Sequence, residues 1–394
     1  MTRVTPDETG GGKVSGEIDL PRVSVEVSMS AAHEITGVDT SATAFIGPAR
    51  EGPVGEAASV SSFDEYAKIY GERDPDSELA FAVSQYFANG GGRAWIVRVP
   101  EDGESPGGLA VGTFEAACLP ALDAAEDLGL LCLPGVSEPS IAQAALSYAD
   151  RRRLFLLVDP PAAGMLDAID FVGALARTGS SNAAMYFPRL RVPDPGGGPS
   201  RICPPSGSVA GLYARTQRSR GIWKAPAGVE AVLYGVDHTE VELDDEAIRT
   251  VADAGIDPIR TMPATGPVVW GARTIQGAQG SDSDWKYVNV RRLALFLERS
   301  LDRGLQWAVF QPNAEPLWAE VRPVVGRFLD GIWRQGAFVG RTADEAYIVR
   351  CGTDTMTEED VEGGHLNVLV GFAPTRPAEF AWIHFTKRWR MTAM

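Results

Sequence analysis

Apolar residues recur at three- and four-residue steps along two late stretches of the chain, and these stretches predict its longest helices. From Asp284 onward, Val290, Leu293, Leu297 and Leu301 share one face, and Gly304 stands where a helix-terminating glycine belongs. In the second helix Leu317, Val321, Val324, Phe328 and Ile332 repeat the pattern, with Pro316 suited to its first turn and Gly336 to its end. Pro323 falls inside that run, where a missing backbone donor predicts a kink. Trp307 to Gln311, between the helices, reads as a short strand. Helices this apolar need a surface to pack on, and the whole segment from Val268 to Arg350 organises the rest of the chain.

Earlier in the chain the period changes. In Pro21 to Ser28, Val23, Val25 and Val27 alternate with polar residues, the pattern of a half-buried strand, yet no hairpin partner stands nearby. Such a strand calls for a sheet to accept it, in this molecule or in a neighbour. Thr43 to Val99 reads as strand, turn, strand, a helical turn at Phe63 to Tyr70, a helix carrying Leu79, Val83, Tyr86 and Phe87, and a strand from Ala94. After a Gly/Pro/Ser linker at Glu101 to Gly108, helices near Thr113, Ile141 and Met165 alternate with strands at Gly129 to Leu133, Leu154 to Val158 and Ala183 to Phe187. That alternation predicts a parallel sheet covered by helices. Pro193 to Pro205 reads as a loop, Ser206 to Ser219 as a helix, Val229 to Tyr234 as short strands and Asp244 to Ala254 as a helix. Strands at Ala346 to Cys351, Leu366 to Gly371 and Phe380 to Phe385 close the chain, with a capping box from Thr357 to Asp360. Met1 to Gly16 is polar and glycine-rich, too poor in apolar surface to fold alone.

Length and charge narrow the function. A chain of 394 residues predicts two or three domains. The net charge of −16 argues against a general nucleic-acid binder, which needs a surplus of lysine and arginine for phosphates. No apolar run approaches the ~20 residues that cross a bilayer, so membrane insertion is not expected. Four cysteines stand far apart without a CxxC pair, the pattern of buried thiols in a reducing compartment. The first residues show no charged start followed by an apolar run, so export would need a route other than ordinary secretion.

Catalytic chemistry finds little support. His33, His238, His365 and His384 lack metal-ligand spacing, and the glycine triplets fit neither a P-loop nor a dinucleotide fingerprint. Asp159, at the end of a parallel-type strand, is the one residue that suggests a hydrolase; a turn-forming aspartate before two prolines is the simpler account. Arginine runs at Arg151 to Arg153 and Arg291 to Arg292, and the cluster Lys387, Arg388 and Arg390 around Trp389, suit an acidic protein partner against the negative background.

An ordered series of segments resembles the contractile tail sheath proteins of myophages, R-type bacteriocins and phage-tail-like injection systems. The series runs TSATAFIGPAREGPVGEAASVSSFDEYAKIYG, SELAFAVSQYFANGGGRAWIVRV, LGLLCLPG, RLFLLVDPP, NAAMYFPRL, PPSGSVAGLYARTQRSRGIWKAPAG, GPVVWGARTI, SDWKYVNVRRLALFLERSLDRGLQWAVFQPNAEPLWAEVRPVVGRFLDGIWRQGAFVG and PAEFAWIHF. It spans about Pro21 to Phe385. Arg22 departs from the glycine usual before the first strand, and the outer insertions of some sheaths are missing. The resemblance implies a mixed α+β and α/β fold. Its inner domain would combine N- and C-terminal portions and its outer domain would be α/β, giving an N-terminal arm over 1–30, further blocks over 31–100, 101–265 and 266–375, and a C-terminal arm over 376–394. It implies no enzyme activity and no cofactor. Subunits would stack as six-fold helical rings around an inner tube, with baseplate and terminal cap proteins as further partners and an injection system, or alternatively a true phage tail or a bacteriocin, as the host particle. Arm strands shared between subunits would use Val23, Val25 and Val27 and Phe380, Trp382 and Ile383. Arg291, Arg292, Arg299, Arg303, Lys387 and Arg388 are the candidates to face the tube.

Overall fold

The computed structural model describes residues 33–72, 77–99, 111–125, 127–193, 198–278, 280–375 and 381–388, the last as backbone. Its centre is an eight-stranded sheet in the order β11-β10-β6-β5-β4-β1-β3-β2. The first part contributes β1 (Ala42–Pro48), β2 (Ala57–Val60), α1 (Phe63–Tyr70), α2 (Glu78–Ala88) and β3 (Ala94–Val99). A helical stretch follows as α3 (Val111–Thr113), a π-helical turn at Phe114–Cys118 and α4 (Leu119–Asp123). Next come β4 (Leu128–Cys132), α5 (Pro139–Arg152), β5 (Phe155–Val158), α6 (Met165–Ala176) and β6 (Ala183–Phe187). β1 runs parallel to both β3 and β4, and β4, β5 and β6 continue the parallel run.

Strand side chains alternate between two cores. Phe45, Leu130, Phe155 and Tyr186 meet α2 and, through Val209 and Tyr213, the later helix over Ser206–Arg220. Ile46, Leu131, Leu156 and Met185 meet α5 and α6 through Ile141, Leu146, Phe171 and Val172. Burial on both faces explains why these strands read as continuous apolar runs.

Past β6 the chain forms β7 (Leu190–Val192), β8 (Arg201–Cys203), α7 (Ser206–Arg220), β9 (His238–Thr239), α8 (Asp245–Asp253), β10 (Asp257–Met262) and β11 (Gly266–Val269). Two expectations change here. The segment from Pro193 to Pro205 is not all loop, because Arg201–Cys203 pairs antiparallel with β7. Val229 to Tyr234 forms no strand: Gly228 and Gly235 flank it, and it meets β11 through one bridge, Val232 to Val268, with Leu233 N donating to the Pro267 carbonyl and Val269 N to that of Ala231.

The third core lies under α9 (Val288–Gly304) and α10 (Glu315–Arg334), which pack on a sheet ordered β12-β13-β14. After α10 come α11 (Ala343–Ala346), β12 (Tyr347–Arg350), α12 (Glu358–Glu362), β13 (His365–Phe372) and β14 (Ala381–Arg388). Leu293, Leu297 and Leu301 meet Val321, Val325 and Leu329 over Val368, Val370 and Phe372. Each such fully buried side chain contributes about 1.5–3 kcal/mol. Thr357 and Asp360 form the expected capping box at the start of α12.

Trp307 to Gln311 is not a strand. A 3-10 turn at Gln306–Ala308 leads into hydrogen bonds from Ala308 to Leu305 and Val309 to Gln306, so the segment closes on itself. α10 runs unbroken through Pro323, which is exposed together with Ala319, the residue whose carbonyl loses its donor. Water can take that place, while the buried face stays intact. Pro323→Ala is therefore expected to stabilise the chain by about 1–3 kcal/mol, read as a higher urea midpoint.

Residues 33–40 lie against α9. Gly37 packs on Phe296, Val38 N donates to Ser300 Oγ at 3.1 Å, and Ile35 joins the third core. From Ala42 the chain instead enters the large sheet beside β4, because the apolar strand β1 is buried only between parallel neighbours.

Candidate functional site

The residues that could carry chemistry are few among those described. Among them no group of three His, Cys, Asp or Glu residues could hold a metal ion, and no helix is long and apolar enough to cross a membrane. Of the histidines, His33 stacks on Trp307 at 4.0 Å and His365 lies 3.7 Å from Asp360. Burial pushes the thiols of Cys118, Cys203 and Cys351 up to about 12 and that of Cys132 well above its usual value, so none is a ready thiolate.

Asp159 sits at the end of β5, as the sequence suggests, but it is 1% exposed. Its carboxylate accepts from Ser206 N at 2.9 Å, Ser206 Oγ at 2.7 Å and Gly135 N at 3.1 Å. It therefore ties the first turn of α7 to the loop after β4. Burial raises its pKa to about 6, and the three hydrogen bonds oppose that rise. Asp257, likewise buried, accepts from Arg273 N at 2.7 Å. Both carboxylates hold backbone in place.

The arginines of α9 do not share a face. Arg292 is 4% exposed; its Nη2 donates to Gln217 Oε1 at 2.9 Å and to the Thr40 carbonyl at 3.3 Å, and its guanidinium lies 4.6 Å from the Tyr213 ring. Burial lowers its pKa to about 10. Arg291 donates to Asn182 Oδ1 at 2.6 Å and to Glu298 at 3.2 Å. Arg299 donates to the Leu128 carbonyl. Only Arg303, with 68% of its side chain exposed, points its charge outward, and it pairs with Asp127 at 3.3 Å. The expected row of four partner-facing cations is thus corrected to one, because α9 is buried on the α7 side as well as against α10.

Strand β14 carries Trp382 opposite Gly371, Ile383 opposite Val370, Lys387 opposite Leu366 and Arg388 opposite His365. It is an outer strand of its three-stranded sheet, and among the described residues nothing pairs with its far edge. Val23, Val25, Val27 and Phe380 lie outside the described residues.

The meeting of Arg299 and Arg303 with Arg151, Arg152 and Arg153 is what the sequence missed. Those residues close α5 beside Arg299 and Arg303, and the two segments together line one open cleft. Each run was visible as basic sequence, but their meeting was not.

Internal ties, a sheet edge left open and a basic cleft define a subunit whose recognition surfaces suit other proteins. Comparison with known proteins gives the family. Residues 115–275 match the phage tail sheath protein central domain, and residues 280–387 match the phage tail sheath C-terminal domain. The chain is 31% identical to the sheath in the structure of the anti-feeding prophage helical sheath in its contracted state, covering 93% of this chain and 99% of that one with a TM-score of 0.73. It is 30% identical to a chain of the PVC sheath complex of an extracellular contractile injection system, also contracted, over 93% and 97% of the two chains with a TM-score of 0.71. The tail sheath protein of Vibrio phage KVP40 is 27% identical over 134 residues, which span 34% of this chain and 20% of the phage protein. The chain belongs to the contractile tail sheath family.

Proposed function

We propose that this chain is the sheath subunit of a contractile injection particle. Copies polymerise as stacked helical rings around an inner tube and shorten to drive that tube through a target envelope. The match along 93% of the chain to a sheath in its contracted state carries this reading. The work is mechanical, without a cofactor: contacts between unlike surfaces of identical subunits extend into a helical lattice, and two packings of rigid domains make that lattice bistable. Baseplate and terminal cap proteins complete the particle. The four unpaired, buried cysteines support assembly in the reducing cytoplasm, and lysis would then release the particle.

The purified full chain is expected to form tubes or rings visible by negative-stain microscopy. A chain that stays monomeric at every concentration and hydrolyses an ester or phosphate would sink the reading.

The Val23 to Val27 strand and the strand holding Phe380, Trp382 and Ile383 join neighbouring subunits by strand addition. The open edge of β14 supports this, since an unpaired edge offers backbone donors and acceptors to an incoming strand. Deleting Met1 to Met29 is expected to abolish ordered sheath while leaving the melting of the remaining chain unchanged; sheath of normal length from the truncated chain would count against the arm. We assign contact with the tube to Lys387 and Arg388.

A further inference from the structure

Five arginines from two distant segments converge on one open cleft of about 540 Å³. Arg151, Arg152 and Arg153 close α5, Arg299 and Arg303 come from the last turns of α9, and Val38, Leu128 and Leu154 give the cleft an apolar floor. The lining sets Asp127 and Asp302 beside five guanidinium groups, three of which pair within the chain, Arg152 with Asp123, Arg153 with Glu298 and Arg303 with Asp127, in a protein whose net charge is −16. Arg151 is exposed, lies 5.8 Å from the Tyr148 ring and has no carboxylate partner among the described residues. Asp127 and Arg153, both on the rim, hold φ values of 60° and 53°, a left-handed conformation that costs energy in any residue but glycine.

The cleft lies where the parallel strands begin, because Leu128 opens β4 and Leu154 precedes β5. The opposite end of the same sheet carries the reverse charge. Thr239 ends β9, which pairs with β7 just beyond the end of β6, and the chain then runs through Glu240, Glu242, Asp244, Asp245 and Glu246. Ile256 N bonds back to the Val251 carbonyl, turning the chain from α8 into β10, which is parallel to β6. α8 therefore runs against the strands, and its acidic start sits where they finish. Asp244 caps α8 and Asp245 stands 4.0 Å from Arg260, but Glu240, Glu242 and Glu246 are exposed without an ion pair among the described residues.

We propose that the arginine cleft receives the acidic segment 240–246 of a second copy of this chain, so that subunits meet head to tail across opposite ends of their sheet strands. The inference rests on the assembly reading above and names one of its contacts. Two unlike surfaces on one chain make a heterologous contact, which repeats into an open helix or a ring instead of closing on a pair. Charge pairing of this kind sets register and discriminates against wrong partners, and it weakens as salt rises.

The test uses the full chain and four charges outside the core. Arg151→Glu with Arg303→Glu, or Glu242→Lys with Glu246→Lys, should each raise the concentration needed for polymers by about tenfold or more, read by sedimentation. All four changes together should restore polymers near the wild-type concentration. Either pair polymerising like wild type overturns the proposal, as does a fourfold variant that melts like wild type yet stays dispersed. Reversed chains that polymerise normally but no longer hold a co-expressed tube protein would give the cleft to the tube instead. Arg151→Cys with Glu242→Cys supplies a second readout: mild oxidation should give a ladder of linked chains, since the native cysteines are buried, and a lone monomer band overturns the contact. A wild-type chain that never polymerises fails the assembly reading itself, a result distinct from polymers indifferent to these charges.

Discussion

Asp159→Ala should lower the unfolding free energy by about 2–4 kcal/mol, because it strands the N–H groups of Ser206 and Gly135, each costing about 1–3 kcal/mol when buried without a partner. The effect should depend on pH. With a folded pKa of about 6 against an ordinary 3.8, the folded chain binds the proton more tightly than the unfolded chain does. The stability this group adds is fully present below pH 3.8 and is lost as pH rises through 6. The advantage of wild type over the variant should therefore grow on acidification from pH 7 to pH 4, by an amount on the order of 3 kcal/mol in all. Urea unfolding of both chains across that range measures it. A difference that shrinks on acidification would show that the hydrogen bonds outweigh burial and keep the carboxylate charged.

The second large effect lies at the crossing of α2 and α7. A Cβ on Gly207 would stand 2.3 Å from the Ala82 carbonyl oxygen and 2.6 Å from its Cα. Gly211 makes a similar approach, at 2.4 Å from the Tyr86 carbonyl. Backbone sits on backbone at this crossing, with no flexible side chain to move aside. Gly207→Ala should cost about 3 kcal/mol or more, appearing as a lower urea midpoint or loss of soluble chain, whereas Gly173→Ala, with open space around it, should fold normally. Equal midpoints for the two variants would refute the close packing.

What could be read from sequence followed burial with a regular period. α9 and α10 announced themselves through one-sided apolar spacing, and β4, β5 and β6 through short apolar runs between helices. The β10–β11 hairpin did not, because Pro258, Pro263 and Pro267 argue against strands; Pro267 is tolerated on β11, the outermost strand, where a missing donor breaks no second ladder. Arg292 misled for a related reason. Its position on α9 looks polar by period, yet the helix is packed on two sides, and the guanidinium is satisfied by Gln217 and Thr40 from far along the chain. The arginine cleft joins residues about 150 positions apart, a meeting no local pattern encodes. Family resemblance, carried by many ordered segments, revealed the assembly role that individual residues did not.

The route by which residues 33–40 reach the large sheet has a mechanical consequence. That segment lies along α9 and then becomes β1, which is held between β3 and β4, both parallel to it, along registers beginning at Thr43–Ala94 and Ala42–Leu128. A tug arriving from the N-terminal side is delivered along the axis of β1. Its hydrogen bonds to both neighbours are then strained together in shear, instead of being peeled one pair at a time. Tension arriving through the N-terminal arm proposed above would meet the chain at a strand anchored on two sides, and the linkage would transmit a stroke without unravelling the domain that receives it.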